Sequence, residues 1–413
     1  MKHMIKKLLI FLPFLLAIVL FSSCEKEDPV PVDPDKPTTG EPNPSDPENP
    51  TPSNPTNKTI LVYILGNNSL QSFIQSDINE MIEGMQNSPN TGNLILYIDD
   101  PTASRLVRIR KDEKGEYKEV ILQNLGDRNS ASYEMFSSVI KKVFDYYPAE
   151  KYGLFMWSHG DGWLPSPSNS SQTRWYGQDG NNYMDISEIK RALQEVPHLD
   201  FIYFDDCFMQ SVEVAYELRH YTDYTIGSVA ETPGAGAPYH KLMDLVFQDK
   251  ADVKTIIERY HNYYPSEEAR IKDNWPYGAA ISAIRCSELE GLAAATKVIT
   301  NKYADVLKAI SPSTVQNYDP RKSQRAYYDF NDVVSKVANA EDLAVWRQQL
   351  DKAVPYKETT SRIYSIYIPG TFAVNENYSG ISVYLPLSSY TTWNNFYKTF
   401  EWGEASGWNA LIN

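Results

Sequence analysis

Apolar and polar residues divide the chain into a leader, a polar segment and a long region of alternating patterns. Leu8–Phe21 is an apolar run behind a basic start, and at about fourteen residues it is shorter than the roughly 20 that span a bilayer. We therefore interpret residues 1–23 as an export signal peptide. Residues 24–57 hold ten prolines and many acidic residues with almost no apolar side chains, which predicts an extended tether.

Residues 58–413 alternate between continuous apolar runs, which predict buried strands, and helical patterns. The predicted strands are Ile60–Leu65, Asn93–Ile98, Tyr152–Trp157, Phe201–Phe204, Tyr224–Val229 and Ala279–Ile284, a hairpin of Leu106–Lys111 and Tyr117–Leu122, and two late runs, Arg362–Tyr367 and Gly380–Leu385. The predicted helices are Leu70–Met85, Ser132–Tyr146, Ile186–Leu193, Met209–Leu218, Leu289–Ile310, Tyr327–Val337 and Leu343–Val354. This order indicates one α/β domain with a mainly parallel sheet flanked by helices, and further helices and strands toward the C-terminus.

Composition narrows the classes of function. The net charge of −14 and the isoelectric point near 5.0 argue against a nucleic-acid partner, because binding to phosphates requires basic surfaces. Three cysteines in 413 residues exclude a small disulfide-stapled scaffold.

The end of the leader resembles the signal of bacterial lipoproteins. Ser22 and Ser23 lead into Cys24, whose thiol would be diacylated after cleavage before it, and two or three acyl chains anchor a protein stably to a membrane. The acidic residues directly after Cys24 resemble the export tag of outer-membrane lipoproteins, so we expect an outer-membrane location, facing either the periplasm or the cell surface. An ordinary signal peptide with an unrelated cysteine is the alternative.

Residues with catalytic potential follow two of the predicted strands, and in parallel sheets ligands bind beyond the carboxyl ends of strands. His159 and Gly160 follow the strand Tyr152–Trp157, and Cys207 follows Phe201–Phe204 at the predicted start of a helix. A helix N-terminus lowers the pKa of a thiol, so the sequence predicts a reactive Cys207 paired with His159.

Each of these residues alone has a more ordinary interpretation. A single cysteine after a buried strand is usually an inert core residue, and a single histidine usually has a structural role. The expected position of both on neighbouring strand ends favours the functional pairing. Cys286 follows another apolar strand; its disulfide with Cys207 would abolish the chemistry, and we expect a buried, free thiol instead.

Further motifs surround His159 and Cys207: Ser158–Trp163 (SHGDGW), Asp205–Cys207 (DDC), Ser211–Leu218 (SVEVAYEL), Glu231–Gly234 (ETPG), Ile60–Asn68 and Gly380–Pro386. With these motifs the chain resembles the clostripain family of cysteine peptidases. The likeness covers nearly all of residues 58–405. The resemblance implies a caspase-like α/β fold and an endopeptidase that acts on proteins or peptides.

The resemblance also implies the roles of individual residues. Cys207 would be the nucleophile, His159 would assist with proton transfer, and the backbone N–H groups of Gly160 and Cys207 would form the oxyanion hole. Asp205 would lie at the floor of the pocket for the residue before the cleaved bond and would bind Arg better than Lys. The segment from Ser228 to Glu231 would be the strand edge along which the substrate backbone lies.

Two departures from the family pattern bear on these roles. Asp206 stands where a small residue is usual, and it would either raise the pKa of Cys207 or share the pocket with Asp205. Pro233–Gly236 lacks an acid that some relatives carry, which leaves a different residue preference open. Transpeptidation in place of hydrolysis also remains open, because both begin from the same acyl-enzyme.

Some relatives are zymogens that cut themselves after a basic residue between the histidine and the cysteine. Arg174 lies in a polar, turn-rich stretch of that interval, whereas Lys190 and Arg191 lie in a predicted helix. We therefore predict self-cleavage between Arg174 and Trp175.

Some relatives also need calcium. Four acids would supply oxygen ligands, although none has the spacing of an EF-hand loop, and unpaired surface carboxylates are the more ordinary interpretation. These acids are Asp99, Asp100, Asp161 and Asp179. The chemistry itself requires no cofactor.

The rival hypothesis is a surface-anchored binding lipoprotein, for example a glycan-binding module on an inactive peptidase-like fold. The 29 tyrosines and 8 tryptophans support it, because aromatic faces stack on sugars. Those residues are spread along the chain, however, and the hypothesis makes no use of His159 or Cys207.

Overall fold

The computed structural model describes residues 56–165, 176–321, 325–368 and 370–412. The strands found in these residues are β1 (Thr56–Leu65), β2 (Asn93–Asp99), β3 (Ser104–Lys111), β4 (Tyr117–Gly126), β5 (Ala149–Trp157), β6 (Tyr176–Asp179), β7 (Asn182–Met184), β8 (Leu199–Asp205), β9 (Thr222–Gly227), β10 (Ala280–Arg285), β11 (Tyr328–Asp329), β12 (Tyr356–Thr359), β13 (Arg362–Tyr364), β14 (Thr371–Ala373) and β15 (Ser382–Val383). The helices are α1 (Ile74–Asn87), α2 (Tyr133–Tyr146), α3 (Ile186–Leu193), α4 (Val212–Leu218), α5 (Tyr239–Val246), α6 (Val253–Tyr263), α7 (Glu267–Lys272), α8 (Leu289–Lys308), α9 (Phe330–Ser335), α10 (Ala340–Ala353), α11 (Thr391–Tyr397) and α12 (Glu401–Ala405).

One nine-stranded sheet forms the centre of the fold, with the order β12-β10-β9-β8-β5-β1-β2-β3-β4. The five central strands, from β9 to β2, run parallel, and the two strands on each side of them pair antiparallel. The predicted α/β class with a mainly parallel sheet is confirmed.

Both faces of the sheet are covered, which explains why its central strands are continuously apolar. Side chains alternate along β1, so Leu61 and Tyr63 pack into one core and Ile60 and Val62 into the other. The core around Ile60 contains α1, α5 and α6 residues, and the core around Leu61 contains residues of α2, α3, α4 and the C-terminal helices. The central strand ends are therefore fixed by packing on two sides.

Local capping decides where several helices begin. The side chain of Ser132 accepts a hydrogen bond from the Met135 N–H at the start of α2. The helix predicted from Met209 begins only at Val212, because Ser211 is extended and caps the Val214 N–H. This later start matters for Cys207, which lies before the helix rather than on it.

The edges of the fold differ most from the sequence predictions. The run Arg362–Tyr367 is a strand only over β13, and Tyr327–Val337 divides into the short β11 and α9. The segment from α5 to α7 was not predicted as helical. The predicted helices Leu289–Ile310 and Leu343–Val354 are found as α8 and α10, whereas the predicted strand Gly380–Leu385 is reduced to β15.

The first strand begins slightly before the predicted start of the domain at Lys58. Thr56 pairs with Ala149, and the buried Lys58 amino group lies 2.6 Å from Asp200. In the part of the chain described above, no helix combines the length and the apolar character needed to cross a bilayer.

Candidate active site

The pairing of β5 with β8 brings the two predicted loops together. Trp157 lies opposite Asp205 in the parallel register, and His159 and Cys207 each follow two residues later. Both residues line one cavity of about 340 Å³ at the carboxyl ends of these strands. The neighbouring strand ends predicted from sequence are therefore found.

The two loops touch directly at Gly160. A Cβ atom on Gly160 would lie 2.9 Å from Asp206 Cγ and 3.0 Å from the Cys207 carbonyl oxygen. Such distances leave no space for a side chain, so glycine permits the close approach of the two loops. The backbone at Gly160 is thereby placed against that of the predicted nucleophile.

Cys207 is half-buried, and its sulfur accepts a hydrogen bond from the Thr232 N–H at 3.4 Å. Burial raises the pKa of its thiol well above the ordinary value, and the negative charge of Glu231 raises it further. The prediction of a pKa lowered by a helix N-terminus is wrong, because α4 begins five residues later.

His159 is also half-buried, and its Nε2 atom lies 2.8 Å from Oγ of Ser69. Burial lowers the pKa of the imidazole, which favours the neutral ring at neutral pH. A neutral imidazole can accept a proton. Ser69 was not predicted from sequence, because only the folded chain brings this loop residue to the histidine.

Asp205 lines the cavity, and only one of its two carboxyl oxygens accepts hydrogen bonds in the described residues. Its Oδ2 atom accepts hydrogen bonds from the Ala237 N–H and the Tyr239 hydroxyl, both at 2.8 Å. Its Oδ1 atom is buried and has no hydrogen-bond partner in the described residues. Burial raises the pKa of Asp205 to about 6, so the group is mostly ionised at neutral pH.

Asp206 has a different environment although it is the next residue. Its side chain is buried against Gly160, and neither carboxyl oxygen has a hydrogen-bond partner within the described part of the chain. Burial and the nearby Asp205 raise its pKa well above the ordinary value, which favours the uncharged acid. Any charge on Asp206 raises the pKa of Cys207, in agreement with the first of the two roles considered for it.

Two residues, Ser228 and Glu231, were named for the predicted strand edge, and only one of them lines the cavity. Glu231 lines the cavity, and its Oε1 atom accepts a hydrogen bond from the Ile366 N–H at 3.1 Å. Ser228 is buried and is not one of the described residues that line it. The Ser228 carbonyl accepts a hydrogen bond from the Gln210 N–H at 3.1 Å. The contacts of Ser228 thus give its predicted role in substrate binding no support.

A buried ion pair connects the histidine loop to the C-terminal half of the chain. The guanidinium group of Arg321 binds both carboxyl oxygens of Asp161, at 3.0 and 3.1 Å. The Tyr327 hydroxyl also donates to Asp161, and its ring stacks on Phe208 at 4.7 Å. Because Phe208 directly follows Cys207 and has a φ of 63°, this contact holds a strained residue beside the nucleophile.

The four acids considered for calcium are mostly engaged elsewhere. Asp161 pairs with Arg321, Asp100 pairs with Arg105 at 2.5 Å, and Asp179 accepts hydrogen bonds from the Asn67 amide and the Ser130 N–H. Burial raises the pKa of Asp99 to about 7. The described residues contain no group of three or more such side chains able to hold a metal ion. Calcium dependence stays a prediction.

The structure describes some of the remaining predicted residues and not others. Cys286 is buried, and both it and Cys207 are free thiols. Cys24, Arg174 and Trp175 lie outside the described residues.

Fold and site together define a class of protein. A mainly parallel sheet presents a thiol, an imidazole and a carboxyl group in one cavity at its strand ends, which is the class of site that supports nucleophilic catalysis by cysteine.

Comparison with known proteins identifies the family. The model of the clostripain family matches residues 62–413. Clostripain of Hathewaya histolytica is 25% identical over 424 residues, which cover 86% of this chain and 79% of that protein. The chain therefore belongs to the clostripain family and is a cysteine peptidase that acts on peptides or proteins.

Solved structures agree with this assignment. A secreted C11 cysteine protease from Bacteroides thetaiotaomicron, in complex with an irreversible peptide inhibitor, is 35% identical with a TM-score of 0.77; the match covers 86% of this chain and 99% of that one. An inactive zymogen C11 protease from Parabacteroides distasonis is 33% identical with a TM-score of 0.75 and the same coverage. The caspase-like architecture implied by the resemblance is confirmed.

Proposed function

We propose that the protein is an endopeptidase that cleaves after Arg or Lys with Cys207 as nucleophile and His159 as proton acceptor. The observation that carries this proposal is the position of Asp205, which lines the same cavity as Cys207 and His159 and whose buried Oδ1 atom has no hydrogen-bond partner in the described residues. A carboxylate at this position would bind the cationic side chain of a substrate residue, while the Cys207 thiol reaches the carbonyl group of that same residue.

The pKa directions suggest how the thiol is activated. The pKa of Cys207 is raised and that of His159 is lowered, so both groups are neutral before substrate binds. In our proposal Cys207 Sγ attacks the carbonyl carbon while its proton passes to His159. The imidazolium then gives that proton to the leaving amine, and water hydrolyses the thioester to restore the thiol.

The oxyanion formed during attack needs hydrogen-bond donors close to the sulfur. We assign this role to the N–H groups of Gly160 and Cys207, and the close contact between the two loops supports the assignment. Loss of one such donor typically costs about 3–4 kcal/mol of transition-state stabilisation.

The Asp205 environment favours Arg over Lys. Tyr239 and Ala237 hold Oδ2 in place, so the carboxyl plane is fixed before substrate arrives. A guanidinium group can direct its N–H groups at the remaining Oδ1 atom, and it is more weakly hydrated than an ammonium, so it loses less on entering a buried site.

Location and maturation belong to the same proposal. We propose that the signal peptide is removed, that Cys24 is lipidated and anchors the protein to the outer membrane, and that the chain cuts itself between Arg174 and Trp175. The sequence pattern supports the first two steps. A related structure described as an inactive zymogen supports the third.

The test compares the mature wild-type chain with Cys207→Ala and with Cys286→Ala, which removes the other thiol of the domain. Each protein is incubated with a denatured protein of mixed sequence, and mass spectrometry reads the new C-termini. We expect new ends at Arg and Lys from the wild type and Cys286→Ala, and none from Cys207→Ala. Cuts after other residues would retain the peptidase and refute the role of Asp205.

Self-cleavage is tested on the same samples. Arg174→Ala should leave the chain intact, whereas Arg191→Ala, a control in α3, should be cut as the wild type is. Identical fragments from the wild type and Cys207→Ala would show that the cut is not made by this active site.

A further inference from the structure

The wall of the cavity that faces solvent is built from large apolar side chains. We call this set the apolar wall; it comprises Trp275, Tyr364, Ile366 and Tyr367. It stands beside Asp205, Cys207 and Glu231 in the same cavity. None of its members has a part in the proposed chemistry.

The base of the apolar wall is a packed aromatic cluster. The rings of Trp275 and Tyr364 meet edge to face at 5.1 Å, and Tyr277 contacts both rings at 5.3 and 4.8 Å. Aromatic groups packed in this way present a rigid surface and lose little conformational freedom when a ligand binds.

The outer part of the wall leaves apolar surface in water. Ile366 is 70% exposed and Tyr367 is 47% exposed, and these adjacent residues are among seven large exposed apolar side chains in the described residues. Scattered apolar residues are ordinary on protein surfaces, but these two are adjacent and line the cavity, so they can contact a ligand that enters it.

Polar contacts hold these two residues in this position. The Ile366 N–H donates to Glu231 Oε1 at 3.1 Å, and the Tyr367 N–H donates to Ser365 Oγ at 3.2 Å. The ring of Tyr367 also lies under the guanidinium carbon of Arg321, 4.8 Å from the ring centroid. The wall is therefore formed before any ligand arrives.

We infer that the apolar wall is a subsite for a large aliphatic or aromatic side chain of the substrate, on the N-terminal side of the cleaved bond. The inference rests on the proposed function, in which the substrate backbone lies along the segment that ends at Glu231. The Ile366 N–H is hydrogen-bonded to the Glu231 side chain. The wall therefore adjoins the substrate residues that precede the Arg or Lys at the cleaved bond. The peptidase therefore prefers substrates that carry an apolar residue shortly before Arg or Lys.

The charges around the cavity agree with this selectivity. Asp205 and Glu231 line the cavity, so an acidic side chain there would be repelled. An apolar side chain avoids that repulsion and removes the exposed surface of Ile366 from water.

The experiment uses the mature chain and internally quenched peptides that contain one Arg. In the peptide series, Leu, Phe, Ser or Asp is placed at one position at a time. The varied positions are the three before Arg and the one after it. We expect at least one position before Arg to favour Leu or Phe over Ser by about tenfold in kcat/KM. Ile366→Ser should reduce this preference several-fold, whereas Ile271→Ser, a control in α7 that is also 70% exposed, should leave it unchanged.

The outcomes separate this inference from the proposed function. Failure of the wild type to cut any Arg peptide overturns both. Cleavage after Arg with no preference before it, or with a preference only after it, overturns the subsite alone. If Ile366→Ser accelerates the cleavage of all peptides equally, the wall obstructs the cavity instead of binding substrate, and the inference is wrong.

Discussion

The two walls of the cavity are built in different ways. The inner wall consists of the ends of β5 and β8 with His159, Asp205 and Cys207, and it is fixed by packing on both faces of the sheet. The outer wall comes from the loops around Trp275 and Ile366, and its Ile366 and Tyr367 side chains are exposed. Rigid strand ends suit groups whose geometry determines a reaction rate, and surface loops suit groups that select substrates. Substitutions in the inner wall should therefore affect rate strongly, and those in the outer wall should affect preference.

The largest effect in this comparison is expected at the floor of the inner wall. Asp205→Asn removes the charge that would pair with a basic side chain, and we expect kcat/KM for Arg peptides to fall by about 100-fold or more. Asp206→Asn is the matched control, because Asp206 is buried beside it and favours the uncharged form. Parallel kinetic measurements with one Arg peptide test this, and equal losses in both variants would contradict it.

A smaller effect is expected where the C-terminal half supports the inner wall. Asp161→Asn weakens the bidentate contact with Arg321, whose side chain is only 14% exposed, and should lower the free energy of unfolding by about 2–3 kcal/mol. We expect kcat to fall about tenfold with KM little changed, because Asp161 acts through the position of His159. Asp342→Asn is the control, since it breaks a surface pair with the half-exposed Lys302. Thermal unfolding and kinetics together test this, and a change in KM alone would count against a positioning role.

The pH dependence reports on Asp205 itself. Its pKa is raised to about 6, so the ionised form is lost as pH falls through that value. Cleavage after Arg, relative to cleavage of a peptide with a neutral residue in its place, should decrease about tenfold per unit below pH 6. Stability should change in the opposite direction: the folded state holds the proton more tightly than the unfolded state, so this group stabilises the fold as pH falls from about 6 to 4. A ratio that stays constant down to pH 5 would refute the assignment.

The smallest effect is expected at the edge of the inner wall. Ser69→Ala removes the hydroxyl group that lies 2.8 Å from His159 Nε2, and one neutral hydrogen bond contributes about 1 kcal/mol. We expect kcat to fall about fivefold without a change in KM. Ser88→Ala, which removes a hydroxyl bonded within its own turn, is the control. A kcat that is unchanged or higher would show that Ser69 does not orient the imidazole.

Sequence and structure agree best where the chemistry depends on neighbouring strand ends. His159, Asp205 and Cys207 were predictable because apolar runs reveal buried strands and parallel strands end at one edge. The support from Arg321 and Tyr327 was not predictable, because both contact Asp161 from at least 160 positions away. The direction of the Cys207 pKa shift was missed because it depends on burial and on the cap at Ser211, which delays the helix.

The arrangement of strands has a consequence for a chain cut after Arg174. The N-terminal fragment would contain β1, β2 and β5, the C-terminal fragment would contain β8 and β9, and β5 and β8 are adjacent in the sheet. Neither fragment could leave without exposing a row of unpaired backbone groups and a large apolar surface. The product would therefore be an obligate heterodimer derived from one gene, migrating as a single species in gel filtration and as two bands in denaturing electrophoresis.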